Sequence, residues 1–437
     1  MATRVASFLC FTTVVFAQQH SGGAGPLVPG QSAAPAAQVE RSSIASLSDL
    51  TRELIENNPG IKAARYRFEA ATKRPSQVAT LPEPKLNYTN FGVGHPFSGL
   101  NVSDFAYHGL GVSQEVPFPG KLSLAGEEAK KEAESERQMY RATVLDTISK
   151  LKVAYYEWFV QAKALDITRR NRELMERFER IARARYSVGK GIQQDVLKAQ
   201  VELSGLAQQL EIFDQRRASA EAQINSLLNR APNTPLGDPP DLKQSSFDIE
   251  LSALLALIQE NSPQLRSRQS LVDTRAVGIN RARKEYLPDF NFGFTWQRTG
   301  SQFPDYYMAT AEVKIPLYFW RKQRYGVEEA VSRLHEARED YRETRQELVF
   351  TANDQYLVAK TSARVLALYE AGVIPQSSLS LESAMAGYEV GNVDFLTLIN
   401  NLQTLLNFQM QYYEELAKHE QALARLEPLV GRQLTQP

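Results

Sequence analysis

Phe290-Asn291-Phe292-Gly293-Phe294-Thr295-Trp296-Gln297 alternates a large aromatic side chain with a small or polar one along its whole length. Successive side chains of an extended strand point to opposite faces, so this run presents one wholly apolar face. A partner run follows, in which Ala309, Ala311, Val313 and Ile315 alternate with Thr310, Glu312 and Lys314. The two read as a strand hairpin at about 289–316. The same alternation occurs in a half-buried sheet of a soluble domain and in a barrel strand with lipid on one side, so the surrounding chain decides between them.

The surrounding chain is a duplication. Glu56-Asn57-Asn58-Pro59 returns as Glu260-Asn261-Ser262-Pro263, Leu81-Pro82 as Leu287-Pro288, Val116-Pro117 as Ile315-Pro316, and Tyr186-Ser187-Val188-Gly189 as Tyr388-Glu389-Val390-Gly391. The period far exceeds the roughly 20–50 residues of a solenoid unit, so each copy is a subdomain. Repeat 1 spans 46–230, with a strand hairpin at about 85–117 and a helical hairpin at about 127–230. A Pro- and Asp-rich linker fills 231–248. Repeat 2 spans 249–431, with its helical hairpin at about 326–427, and 432–437 form a tail.

From Glu127 to Val188 there is neither Gly nor Pro, and Val144, Ile148, Leu151, Tyr155, Phe159, Ala162 and Leu165 recur at steps of three and four. That predicts one continuous helix of roughly 90 Å, too long for a globular domain to cover and therefore packed along another long helix. Gly189-Lys190-Gly191 ends it, and Leu203, Leu206, Leu210 and Phe213 mark the returning helix. In repeat 2, Gly372 and Pro375 predict a kink or break. Repeat 1 should open with a helix over about 48–73 that breaks near Pro75. The Arg180 to Arg185 run reads as a solvated helix face.

The 437 residues carry 50 basic and 50 acidic side chains, which leaves no general attraction to nucleic acid. Residues 1–17, with Arg4, an apolar stretch from Val5 to Phe16 and Val15-Phe16-Ala17, read as an export signal that contains the only cysteine, Cys10. Residues 18–45 form a Gly-, Ala-, Pro- and Ser-rich arm. Beyond Ala17 no run approaches the roughly 20 apolar residues of a spanning helix, so membrane insertion must use strands. Four strands cannot close a barrel, and open edges cannot face lipid, so strands in a membrane require self-association, with three chains supplying twelve. No catalytic, cofactor or metal constellation converges. Gly189-x-Gly191 follows a helix, His335-Glu336 lacks the second histidine of a zinc protease, and His20, His95, His108, His335 and His419 have no ligand spacing.

A duplicated unit of helix, strand hairpin, Pro-containing junction and long helical hairpin tipped by Tyr-x-x-Gly resembles the TolC-like outer-membrane efflux proteins, over roughly Ser46 to Gly431. Ser113-Gln114-Glu115-Val116-Pro117-Phe118-Pro119-Gly120-Lys121 resembles the heavy-metal branch of that family. The resemblance implies a mixed α/β membrane protein: a homotrimer with a twelve-stranded outer-membrane barrel and a periplasmic tunnel of helical hairpins. It implies a passive duct fed by an inner-membrane efflux pump through a periplasmic adaptor. Val188, Gly189, Val390 and Gly391 then match the tips offered to the adaptor. Counted from the tip glycines, Asp195 falls where the family often has an acidic residue at the periplasmic aperture. Thr397 and Asn400 are the corresponding positions of the second copy, where some members carry aspartates, and Asp394 lies near them; these four are the gate candidates. Phe290, Phe292, Phe294 and Trp296 are the lipid-facing candidates. The rival reading is a soluble periplasmic coiled-coil adaptor or scaffold, which explains the export signal and the tips but not the aromatic face.

Overall fold

The computed structural model describes residues 46–434 apart from 93, 95–98 and 102. The expected export signal (1–17), the arm (18–45) and residues 435–437 of the tail lie outside the described residues. Repeat 1 contains α1 (Leu47–Asn57), α2 (Pro59–Ala79), β1 (Lys85–Phe91), β2 (Tyr107–Val116), α3 (Lys121–Ser187) and α4 (Gln193–Leu227). Repeat 2 contains α5 (Leu251–Asn261), α6 (Pro263–Lys284), β3 (Asp289–Arg298), β4 (Tyr306–Lys314), α7 (Gln323–Leu368), a π-helical turn (Tyr369–Val373), α8 (Ile374–Val390) and α9 (Phe395–Val430).

The 67 residues of α3 make a helix of roughly 100 Å. It packs against α2 and α6 in the half nearer the strands and against α4 and α9 in the other half, while α7 packs against α6 and then α9. Each half is thus a row of four helices: α2, α3, α6, α7 next to the sheet, and α4, α3, α9, α7 with α8 below. Leu50 and Leu54 of α1 and Leu254 and Ile258 of α5 occupy matching buried positions in the two cores where the halves meet.

Helices α4 and α2 abut end to end. The Asn58 side chain accepts from Ile61 N–H at 3.0 Å, capping α2, and donates to Leu227 O at 2.8 Å, capping α4. Repeat 2 makes the corresponding joint with backbone alone. Gly431 ends α9 at φ 74°, and a Cβ there would lie 2.5 Å from Asn261 O and 3.2 Å from Pro263 Cδ at the start of α6. Gly431→Ala combines a left-handed conformation with overpacking and is expected to cost about 2–4 kcal/mol. Thermal unfolding of the variant in detergent measures it, and an unchanged midpoint would mean the joint yields freely.

Two proline expectations need correction. The opening helix breaks at Asn58 rather than near Pro75: the cap and Pro59 start a new helix, and Pro75 sits inside α2. Contact with α3 holds that turn, where a Cβ on Gly126 would come within 3.1 Å of Ala79 Cβ. Gly372 and Pro375 do not break the second long helix. Ile374 N–H reaches back five residues to Tyr369 O, and the wider turn carries the chain past the missing proline donor.

The four strands form one antiparallel sheet in chain order, with β2 joined to β3 across the two repeats. The register sets Leu86 opposite Val112, Leu110 opposite Trp296, Val112 opposite Phe294, Phe290 opposite Val313 and Trp296 opposite Tyr307. One face is therefore mainly apolar across all four strands, interrupted by Gln114 near one end and by Asn90, His108 and Arg298 at the other. The opposite face carries Asn87, Ser113, Glu115, Asn291, Thr295, Thr310 and Glu312. It is also the crowded face: a Cβ on Gly111 would meet Asn87 Oδ1 at 2.4 Å, and one on Gly293 would meet Thr310 Oγ1 at 2.4 Å. Glycines where cross-strand side chains converge suit the concave side of a curved sheet. The outer edges of β1 and β4 have no strand partner among the described residues.

Candidate functional site

The first functional surface is the apolar face of the sheet. Leu86 is 86%, Phe292 52% and Phe294 48% exposed, and no helix packs across them. A half-buried sheet of a soluble domain would hide these side chains, because exposed contiguous apolar patches mark interaction or membrane surfaces. Phe290, Phe292, Phe294 and Trp296 all lie on this face.

The second surface is the pair of hairpin tips. In repeat 1, Lys190 N–H bonds to Arg185 O at 2.8 Å and Gly189 N–H to Tyr186 O at 3.0 Å. In repeat 2, Asn392 N–H bonds to Gly387 O at 2.9 Å and Gly391 N–H to Tyr388 O at 3.1 Å. Both are Schellman turns, which require the left-handed conformation that Gly189 (φ 72°) and Gly391 (φ 88°) adopt. The turns leave Val188 and Val390 at the extreme ends, 66% and 73% exposed.

The two tips are tied to each other. Arg185 donates from Nη1 to Tyr388 O and from Nη2 to Lys190 O at 3.4 Å, with its guanidinium 4.7 Å from the Tyr388 ring centre. The Tyr388 hydroxyl donates to Asp195 Oδ2 at 3.5 Å. Burial pushes the Asp195 carboxyl above the ordinary carboxylate value and Asp394 adds to the rise, while the Tyr388 hydrogen bond and the Arg185 charge oppose it. Tyr388 is pushed up to about 12, chiefly by burial and then by the Asp195 charge. Asp394 is the N-cap of α9, accepting from Thr397 N–H at 2.6 Å, and that bond holds its carboxyl below the usual value. Thr397 and Asn400 lie exposed along α9.

Asp195, Asp394, Thr397 and Asn400 therefore share one end of the molecule with Val188, Gly189, Val390 and Gly391. Only Asp195 is bonded to the other hairpin. Sequence reasoning missed its partners. Arg185 lies in a run read as a solvated face, and Tyr388 entered only as part of a tip pattern. The buried spacing of Leu381, Ala384 and Tyr388 was the available signal that this tyrosine points inward.

The chain matches the family described as outer membrane efflux protein over residues 50–230 and 254–432, one match for each repeat. The cobalt-zinc-cadmium resistance protein CzcC of Cupriavidus metallidurans is 22% identical over 315 residues, covering 69% of this chain and 72% of that protein. The outer membrane protein VceC of Vibrio cholerae shares the fold with a TM-score of 0.77 at 16% identity, over 89% of this chain and 96% of that one. The open state of the MtrE outer membrane channel of Neisseria gonorrhoeae does so with a TM-score of 0.75 at 17% identity, over 89% of each. Among the described residues no helix is long and apolar enough to cross a membrane, and the sheet offers the apolar surface instead. Family membership replaces the scaffold reading and implies a trimeric assembly working with efflux systems. The chain belongs to the outer membrane efflux protein family, as a TolC-like, non-enzymatic channel of tripartite efflux systems with its strands in the outer membrane and its helices in the periplasm.

Proposed function

We propose that three copies share one pore, β1 of each chain pairing with β4 of the next to close a barrel of twelve strands. The observation that carries this reading is the four-stranded sheet with both edges open and one face apolar. In lipid every backbone N–H and C=O must be satisfied, so the edges need partners, and successive copies joined edge to edge supply them. The helices support the same closure, because α4 and α7 with α8 end the lower row on opposite sides. Phe290, Phe292, Phe294 and Trp296 face lipid, and the crowded polar face lines the pore. The channel is passive. A periplasmic adaptor seats on Val188-Gly189 and Val390-Gly391 and brings substrate from an inner-membrane pump. The likeness to CzcC makes heavy-metal cations the cargo to try first. Cargo choice rests with the pump, because a duct need not bind what it conducts.

Asp195, Asp394, Thr397 and Asn400 form the gate at the tips. The Arg185–Tyr388 and Asp195–Tyr388 bonds brace α3 and α4 against α8 within one chain, and opening moves the braced hairpins apart as a two-state packing change. Cysteines placed at Asp195 and Asn400 of neighbouring tips test this, since the only native cysteine lies in the expected signal. Oxidation should abolish conductance in planar bilayers and reduction should restore it. Undiminished current after verified crosslinking would refute the gate.

The carboxyls give the gate a pH dependence of definite sign. An acid whose value is raised by burial costs the folded tip stability while ionised, and that cost fades as pH falls through the raised value. Asp394, held low by its cap, contributes at neutral pH and loses that contribution only at lower pH. Cation selectivity should therefore fall in two steps on acidification, Asp195 first. Reversal potentials of Asp195→Asn should lack the upper step, and their retaining it would assign that step elsewhere.

A further inference from the structure

The polar face of the sheet changes character at the end away from the helices. The register sets Lys85, Ser113, Gly293 and Thr310 in one row, Asn87, Gly111, Thr295 and Met308 in the next, and Thr89, Gly109, Gln297 and Tyr306 in the third. Beyond them Phe91 lies opposite Tyr107. Past the row of Lys85 this face carries no charge, and its outermost side chains include three aromatic rings. Phe91 and Tyr306 are about half exposed. Phe91 and Tyr107 stack with ring centres 5.6 Å apart, and a Cβ on Gly109 would meet Tyr107 Cε2 at 3.5 Å, so the Tyr107 ring leans over the bare strand at that glycine.

The loops at this end, 92–106 and 299–305, contain Asp104 and Asp305 but neither Lys nor Arg. Asp305 accepts from Trp296 Nε1 at 3.0 Å, which draws its carboxylate toward the lipid face, where Arg298 also lies and offsets it. Asp104 is exposed and forms no ion pair among the described residues. The rim therefore keeps an uncompensated negative charge on each chain. Twelve strands about 4.8 Å apart and tilted by about 40° make a backbone ring about 24 Å across. Gly109, Gly111 and Gly293 leave that ring open inside, whereas nine aromatic side chains, three from each chain, line its outer mouth. The faces of aromatic rings attract cations, and quaternary ammonium groups above all, because these carry little water to be stripped. Mg²⁺ gives up its water reluctantly and gains nothing comparable from a ring.

We propose that Phe91, Tyr107 and Tyr306 of three chains form a binding site for quaternary organic cations at the outer mouth of the pore. Asp104 raises the local cation concentration and the ring faces hold the ligand, so a bulky cation obstructs a passage that hydrated metal ions traverse. The site rests on the three-chain barrel proposed above, because one chain supplies only a third of its rings.

Current through the detergent-extracted full chain in planar bilayers tests it, with tetrabutylammonium, Mg²⁺ or sucrose added at equal millimolar concentration to the side of the strand loops. Tetrabutylammonium should reduce the current in a saturable way, and Mg²⁺ and sucrose should not. Phe91→Ser with Tyr306→Ser should raise the half-blocking concentration about tenfold or more. Tyr306→Ser alone should move it in the same direction if the double variant does not assemble. Tyr306→Phe should keep the block, since the ring and not the hydroxyl binds. Asp104→Asn should weaken the block more in dilute salt than in concentrated salt. A conducting parent pore that tetrabutylammonium does not block, or a block indifferent to the loss of the rings, overturns the site. Equal block by sucrose would mean a narrow mouth without recognition of cations and overturns it too. Absence of any conductance would instead defeat the shared pore, and the site with it.

Discussion

Lys152→Ala is expected to cost about 3–5 kcal/mol, the largest single-residue effect in the helical region. Lys152 donates from Nζ to both Glu427 carboxylate oxygens, at 2.8 and 2.7 Å, and the two side chains are 1% and 2% exposed. The pair joins α3 of repeat 1 to the end of α9 of repeat 2, beside the joint at Gly431. Removing the ammonium leaves a carboxylate in a site with almost no water, and burying a charge without its counter-ion is far more costly than the pair is favourable. Burial, with the Glu420 and Glu427 charges behind it, already pushes the nearby Tyr156 phenol above its ordinary range. Lys152→Met with Glu427→Leu should recover most of the loss, although Leu434 N–H would then lose its acceptor. Thermal unfolding of the detergent-extracted variants decides it. A single variant within about 1 kcal/mol of the parent would mean that water or another cation reaches Glu427.

Phe294→Arg is expected to abolish assembly in the membrane. An arginine on the lipid face of a barrel strand costs about 2–4 kcal/mol near the bilayer midplane, and a shared barrel of three chains carries it three times, about 6–12 kcal/mol in all. Gln297→Arg, on the opposite face of the same strand, should leave assembly intact. Heat-resistant oligomer in outer-membrane fractions is the measurement. If both variants assemble, or neither does, the assignment of faces is wrong.

These two expectations differ in how much of their basis is legible in the sequence. The aromatic face of β3 is local, since four rings at a period of two have one physical meaning within a strand. The duplication and the tip glycines are legible for the same reason, each being a short pattern with a backbone requirement behind it. The Lys152–Glu427 pair joins residues 275 positions apart, and nothing near either one announces the other. The β2–β3 pairing also escapes local reading, because it depends on how the two repeats lie side by side. At the tip, Asp195 could be counted out from Gly189, but its bond to Tyr388 belongs to tertiary packing. The capping role of Asp394 was within reach, since an acidic residue just before a helix usually caps it. The prolines misled for a definite reason: Pro75 and Pro375 break isolated helices, whereas here packing against α3 and a π turn accommodate them.

The open sheet edges have a consequence for inheritance. Edges β1 and β4 differ, so each chain offers a distinct head and tail, and the ring closes only when every head finds a tail. A copy damaged at β4 alone still captures a sound neighbour through β1 and withdraws it from use. In a cell making sound and damaged copies equally, random mixing leaves about one ring in eight free of damage. A lesion confined to one edge would thus behave as a dominant allele, whereas one that prevents the chain from folding at all would be recessive.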